Sequence, residues 1–268
     1  MVAGRENCMT AKKRKIHPVF RVVLPLVFWI LLWQIVAMAV NKSLLIPEPL
    51  QVAKRFLELA VTPAFWKSTG MSLLRIFAGC AAGIILGSVL AVVTKCSAVA
   101  DAILSPVIRI VRATPVASFI ILILLWVKTG RVPVVVSCLV VIPMIWESVC
   151  TGIGSADPQL LEMAWAYRLK RSAVWKYVYF PEVRPQLLSG TSNAIGLAWK
   201  SGVAAEVLCL PKMAIGTWIY NSKLYLETPS LFAWTLTVVV LSFAFENGVK
   251  RLLKRSKRTD KAVTSSHT

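Results

Sequence analysis

Apolar residues in this chain come in long runs, not in alternation with polar ones. Residues 19–40, 73–94, 102–127, 132–152, 187–208 and 231–245 form six such runs, and about twenty apolar residues of helix cross a hydrocarbon core. Residues 41–70 read differently. Prolines punctuate them, and Leu50, Ala53, Leu57 and Val61 recur on one helical face, which predicts a helix lying along a membrane surface. Residues 211–230 predict a re-entrant or surface element. In the second run Gly79, Gly83 and Gly87 repeat every four residues. That spacing lets a neighbouring helix come close, although membrane helices also tolerate glycine without such a contact. The third run carries Pro106 and Pro115, which remove backbone donors and predict a broken or kinked span.

Polar residues orient these runs. Cations crowd residues 1–18, the segment between the fourth and fifth runs, and residues 247–268, and they are sparse on the alternate side. The positive-inside rule then puts both termini in the cytoplasm, flanking a membrane domain at 19–246. The motif "AMA" at residues 37–39 imitates a processing site, but the first run is longer than a signal peptide's apolar region, so an uncleaved span is expected.

Composition narrows the class. The 268 residues are 57% hydrophobic with a formal net charge of +19, so the chain is an all-α polytopic membrane protein with about six spans. The cations sit at run ends and no nucleic-acid motif accompanies them, which excludes a nucleic-acid-binding role. Six cysteines form no CxxC pair, and the two histidines, His17 and His267, lie near the termini. Neither a metal site nor a histidine-based catalytic site is expected.

Between the fourth and fifth runs, at 155–185, the chain becomes charged and aromatic: "EMAWAYRLKRSAVWKYVYFP" occupies residues 162–181. Asp157 and Pro158 supply helix-start chemistry. The basic turn "RLKR" separates that helix from a second one, for which Ser172 is the expected cap and Pro181 the expected stop. The segment is too polar to span a membrane. Exposed aromatics beside a placed acid suit a protein partner, and equally a membrane-interface anchor.

These residues resemble the cytoplasmic coupling loop of ABC importer permeases, whose pattern is Glu-Ala-Ala, three residues, Gly, nine residues, Ile-x-Leu-Pro. Glu162, Met163 and Ala164 match the triplet; Val178, Phe180 and Pro181 match the end, with the spacing kept. Trp165, Ala166 and Tyr167 fill the first gap. Arg168 stands where the family has glycine, which puts the shape of that turn in question. Segments at 44–52, 112–130 and 196–208 are similar to the nitrate, sulfonate and taurine permeases. The resemblance implies a MetI-like fold, a homodimer, two docked cytoplasmic ATPase subunits that use ATP and magnesium, and an external substrate-binding protein. It also implies that this chain binds no cofactor, and no GxxxxGK[ST] phosphate loop occurs in it.

Ionisable residues inside spans mark candidate functional positions. Arg21, Arg75, Arg109 and Arg112 lie near span ends, where reaching the headgroups is the expected role. Glu147 is expected to brace the loop or a neighbouring span. On the fifth span, Asn193, Lys200 and Glu206 are candidates for a translocation path. Six positions separate Lys200 from Glu206, so they do not stack on one helix and each needs another partner. Lys200 either attracts an anionic solute or pairs with a carboxylate elsewhere. An ATPase-independent channel or carrier would explain the spans but gives the 155–185 loop no task. A membrane enzyme would need clustered catalytic groups that the sequence lacks.

Overall fold

The computed structural model describes residues 18–40, 42 and 44–264. The basic segment before Pro18, with Cys8 and His17, lies outside the described residues, as does His267. Among the described residues the regular structure is helical: α1 (Pro18–Val40), α2 (Pro49–Val61), α3 (Pro63–Cys96), α4 (Ala98–Ala113), α5 (Val116–Leu124), α6 (Val132–Gly154), α7 (Pro158–Ala166), α8 (Arg171–Val174), a π-helical turn (Trp175–Tyr179), α9 (Phe180–Cys209), α10 (Ile215–Leu224) and α11 (Thr228–Thr264).

Helix α6 is the centre, packed along its length against α3 on one side and α9 on the other. Glycine makes the first of these contacts possible. A Cβ at Gly79 would stand 2.2 Å from the Val134 carbonyl oxygen, one at Gly83 2.7 Å from Val141 Cβ, and one at Gly87 2.8 Å from the Ile142 carbonyl oxygen. The four-residue glycine spacing is therefore a helix-contact stripe. Ile76, Val141, Ile145, Ala198, Trp199 and Val203 fill the core between the three helices, and the Trp199 indole donates to the Val238 carbonyl at 3.1 Å.

Four described helices are long and apolar enough to cross a bilayer: α1, α3, α6 and the first part of α11. Helices α4 and α5, bent by 103° at the break between them, have together the length and apolarity of a broken span or a re-entrant element. Of the two prolines expected to break it, only Pro115 does so; Pro106 lies inside α4. Helix α9 has the length to cross but carries Glu182, Arg184, Lys200 and Glu206, and it is screened by α6 and α3.

Several boundaries depart from the sequence expectation. The polar loop runs into α9 without a stop, because Pro181 falls in the first turn of α9, where its missing N–H is not required. Just before it the ladder shifts to i→i−5, with Phe180 N–H bonding the Trp175 carbonyl; Pro181, the next residue, has no N–H to donate. Helix α11 continues past its apolar part through the basic tail to Thr264. Helix α3 has 34 residues, about 51 Å at 1.5 Å per residue, so it extends well beyond a hydrocarbon core.

The amphipathic helix between the first two spans is α2. Leu50, Ala53, Leu57 and Val61 are all exposed, the last at 85%, while Val52 is buried. Its charged side is tied down: Arg55 Nε donates to Ser230 Oγ at 2.8 Å, and Arg55 pairs with Glu58 and Glu227. The Trp33 indole donates to the Pro47 carbonyl at 3.1 Å, which fixes α1 against the start of this segment.

Candidate functional site

The loop after α6 forms a capped, exposed helix. Asp157 accepts a hydrogen bond from Gln159 N–H at 2.9 Å, satisfying a free amide at the start of α7. Ala164 turns inward and is 4% exposed, while Met163, Trp165 and Tyr167 face outward, Trp165 at 85%. Glu162 and Ala166 are exposed as well. The helix ends in a Schellman arrangement: Arg168 N–H bonds the Trp165 carbonyl and Leu169 N–H bonds the Ala164 carbonyl, both at 3.0 Å. Arg168 has φ of 50°. The left-handed turn that glycine would supply is thus kept by an arginine, at a cost of about 1–2 kcal/mol. Ser172 does not cap the next helix; Lys170 holds that position without a side-chain bond. Val178 is buried where the π-helical turn meets α9, and Phe180 and Pro181 are exposed.

A second feature lies at the 103° bend. There a cleft of about 240 Å³ opens between the α4–α5 corner, α6 and α9, lined by Arg112, Thr114, Phe119, Pro143, Met144 and Leu197 among others. Leu197 belongs to an exposed stripe of α9 that includes Asn193 four residues before it and Lys200 three after. Two of the three path candidates therefore flank one wall of this cleft. Arg112 has a partner within the fold: it donates to Glu147 Oε2 of α6 at 2.5 Å, with both side chains more than half exposed. Glu147 thus braces the corner helix.

Glu206 is elsewhere. Its side chain is fully buried, about 120° around α9 from the exposed Lys200. It accepts from Ser72 Oγ at 2.7 Å and from Gly216 N–H at 3.2 Å. Arg75 is also inward, its Nη1 standing 4.0 Å from Glu206 Oε1 while it donates to the carbonyls of Lys212 and Met213. Glu206 does not share a surface with Asn193 and Lys200, because the spacing that parts it from Lys200 turns it into the bundle. The sequence signal for Ser72 as its partner was weak: a serine on the inward face of an apolar helix.

Apolar spanning helices around a central α6, a broken span that opens a cleft, and a capped polar loop at one end define a membrane permease subunit. The chain belongs to the family of binding-protein-dependent transport system inner membrane components, whose profile matches residues 83–258, and is the permease subunit of an ABC importer. It is 23% identical over 229 residues to the taurine transport system permease protein of Escherichia coli (strain K12), covering 83% of each chain. To the riboflavin transport system permease protein of Chloroflexus aurantiacus it is 25% identical over 239 residues, covering 87% of this chain and 89% of that one. Its fold resembles a crystal structure of an amino acid ABC transporter with histidines, with a TM-score of 0.63 at 18% identity, over 76% of this chain and 98% of the other.

Proposed function

We propose that two copies of this chain form the translocation path for a small anion, an organosulfonate, taurine or a nitrate-like ion, in a transporter driven by a pair of cytoplasmic ATPase subunits. The partner subunits bind ATP and magnesium, and this chain binds no cofactor. A substrate-binding protein delivers the solute from outside, and the N-terminus, the basic tail and residues 155–185 face the cytoplasm. The observation that carries the reading is α7. A nine-residue helix capped at both ends, with Ala164 inward, Met163 and Tyr167 exposed on one flank and Trp165 on the other, holds apolar side chains out in fixed positions of the kind a protein partner binds. In this reading Glu162, Met163, Ala164, Trp165, Ala166, Tyr167 and Arg168 dock the ATPase, and Val178, Phe180 and Pro181 pass its movement straight into α9.

For the solute, Lys200 and Asn193 on the exposed stripe and Arg112 at the cleft supply the cations and donors an anion needs. The riboflavin permease among the relatives favours a second reading, in which the same path carries a thiamine-precursor pyrimidine or another small nutrient. A channel or carrier independent of an ATPase leaves α7 without a task. The test is purification of the tagged chain in mild detergent. A phosphate-loop ATPase should be retained, and lost when residues 162–181 are deleted. Glu162→Lys should leave the chain inserted in the membrane but abolish ATP-driven uptake; unchanged uptake would remove α7 as the docking surface.

A further inference from the structure

The connection between α9 and α10 is built against the preferences of its own backbone. Leu210 and Met213 have φ of 50° and 53°, in the left-handed region that any residue with a Cβ avoids. Three side chains hold this turn. Arg75 of α3 donates from Nη1 to the Met213 carbonyl at 3.2 Å and from Nη2 to the Lys212 carbonyl at 3.0 Å. Ser72, one turn earlier, accepts from Ile215 N–H at 3.0 Å and donates to Glu206 Oε2 at 2.7 Å. The same carboxylate oxygen accepts from Gly216 N–H at 3.2 Å.

Ile215 and Gly216 begin α10, so a carboxylate sits where free amides and the helix dipole favour an anion. The N-cap, Ala214, has no side-chain group to offer, and the caps come from two other helices. The approach is close enough that a Cβ on Gly216 would stand 2.5 Å from Glu206 Cβ. The Trp218 indole, one turn on, donates to Ser68 Oγ at 2.9 Å. Helix α10 is therefore fastened to α3 and α9 by a row of polar contacts, set beside apolar ones in which Ile215 is fully buried and Trp218 stacks on Trp234.

One atom in this row is unsatisfied. Glu206 Oε1 is buried with no hydrogen-bond partner, although the Arg75 guanidinium is 4.0 Å away and engaged with the two carbonyls. A buried carboxylate oxygen left open beside a cation is costly, and the geometry offers a second arrangement. If the N-terminus of α10 lifts away, Arg75 loses the carbonyls of residues 212 and 213 and can close on Oε1.

We propose that Arg75 and Glu206 are positioning residues of a two-position latch, which docks the N-terminus of α10 in one state of the transport cycle and releases it in another. Arg75 exchanges two loop carbonyls for the carboxylate, so the guanidinium keeps acceptors in either state and the open Oε1 gains a donor on release. Release also relaxes the left-handed turn at Leu210 and Met213. The two states are thereby kept near balance, as a gate that a partner can tip requires. That the latch closes the outer end of the path rests on the orientation proposed above; the latch itself does not.

The test is the rate at which a membrane-impermeant maleimide labels Ala214→Cys, a fully buried position at the start of α10, in the full chain within sealed vesicles of each orientation. The chain with only its native cysteines gives the background. Met213→Gly removes strain from the docked state alone, since glycine accepts that φ, and is expected to slow labelling about fivefold. Glu206→Gln keeps an acceptor for Gly216 but removes the charge that receives Arg75 on release, and should slow it as well. Ser72→Ala removes a docking contact and should speed it by a similar factor. A purely structural network would leave Met213→Gly unchanged or let all three variants speed labelling, and either result overturns the latch. Labelling confined to vesicles of the opposite orientation would overturn the assignment to the outer end and leave the latch standing on the variant rates.

Discussion

Gly79→Ala is the smallest change that tests how the bundle is built. An added Cβ would lie 2.2 Å from the Val134 carbonyl oxygen, against 3.4 Å or more for ordinary contact, a shortfall of about 1.2 Å. The carbonyl belongs to the backbone of α6 and cannot rotate aside, so α3 must retreat. A retreat of about 1 Å also opens the contacts at Gly83 and Gly87, and a gap of that size forfeits roughly a quarter to a half of each dispersion well. Overpacking with loss of neighbouring contacts predicts a cost of about 2–3 kcal/mol. Gly70 is the internal control: it lies on the same helix, and a Cβ there would meet nothing within 4 Å. Gly70→Ala should be neutral or stabilising by up to about 1 kcal/mol from helix propensity. The assay is unfolding of the purified chain in mixed micelles by a denaturing detergent, followed by tryptophan fluorescence. If Gly79→Ala falls within about 0.5 kcal/mol of Gly70→Ala, the glycine stripe is not what sets the α3–α6 distance, and the argument from close approach fails.

Two further outcomes follow from single contacts. Arg168→Gly should stabilise the end of α7 by about 1 kcal/mol, because glycine accepts φ of 50° without a steric cost; slower amide exchange at Leu169 would show it, whereas Arg168→Ala should give no such slowing. Glu147→Gln removes the charge that pairs with Arg112, and because both side chains are more than half exposed the unfolding free energy should change by less than about 1 kcal/mol. If the cleft takes an anion, the freed guanidinium should lower the apparent KM for uptake of an anionic solute, and a KM unchanged or raised would count against that use of the cleft.

The helices were legible because their signals are local. Runs of apolar residues marked α1, α3, α6 and α11; Asp157 with Pro158 marked the start of α7; Pro115 marked the break. Errors arose where two local rules competed. Pro181 reads as a helix stop by its effect on the residue before it and as a helix start by its fit to a first turn, and the π-helical turn resolved the conflict in favour of the start. Arg168 is the converse case: the sequence argued against a left-handed residue there, yet the two hydrogen bonds that close α7 require one, and tertiary geometry overrode local preference.

The charged residues inside the spans show where sequence reasoning must stop. Spacing alone parted Lys200 from Glu206, and the structure agrees: one lies on the exposed stripe of α9, the other in the core. But spacing along one helix says nothing of partners on another, 35 positions away for Arg112 and more than a hundred for Arg75. Arg75 and Arg112 both sit near the end of an apolar run, which looks the same in sequence whether a side chain snorkels to headgroups or turns inward. What separates them from a snorkelling arginine is an acceptor contributed by another helix: Glu147 for Arg112, and for Arg75 the strained loop after α9 with Glu206 behind it. The charges that cost most to place in a membrane are the ones whose placement depends on the whole fold, so local pattern specifies the helices of the bundle but not the charged contacts between them.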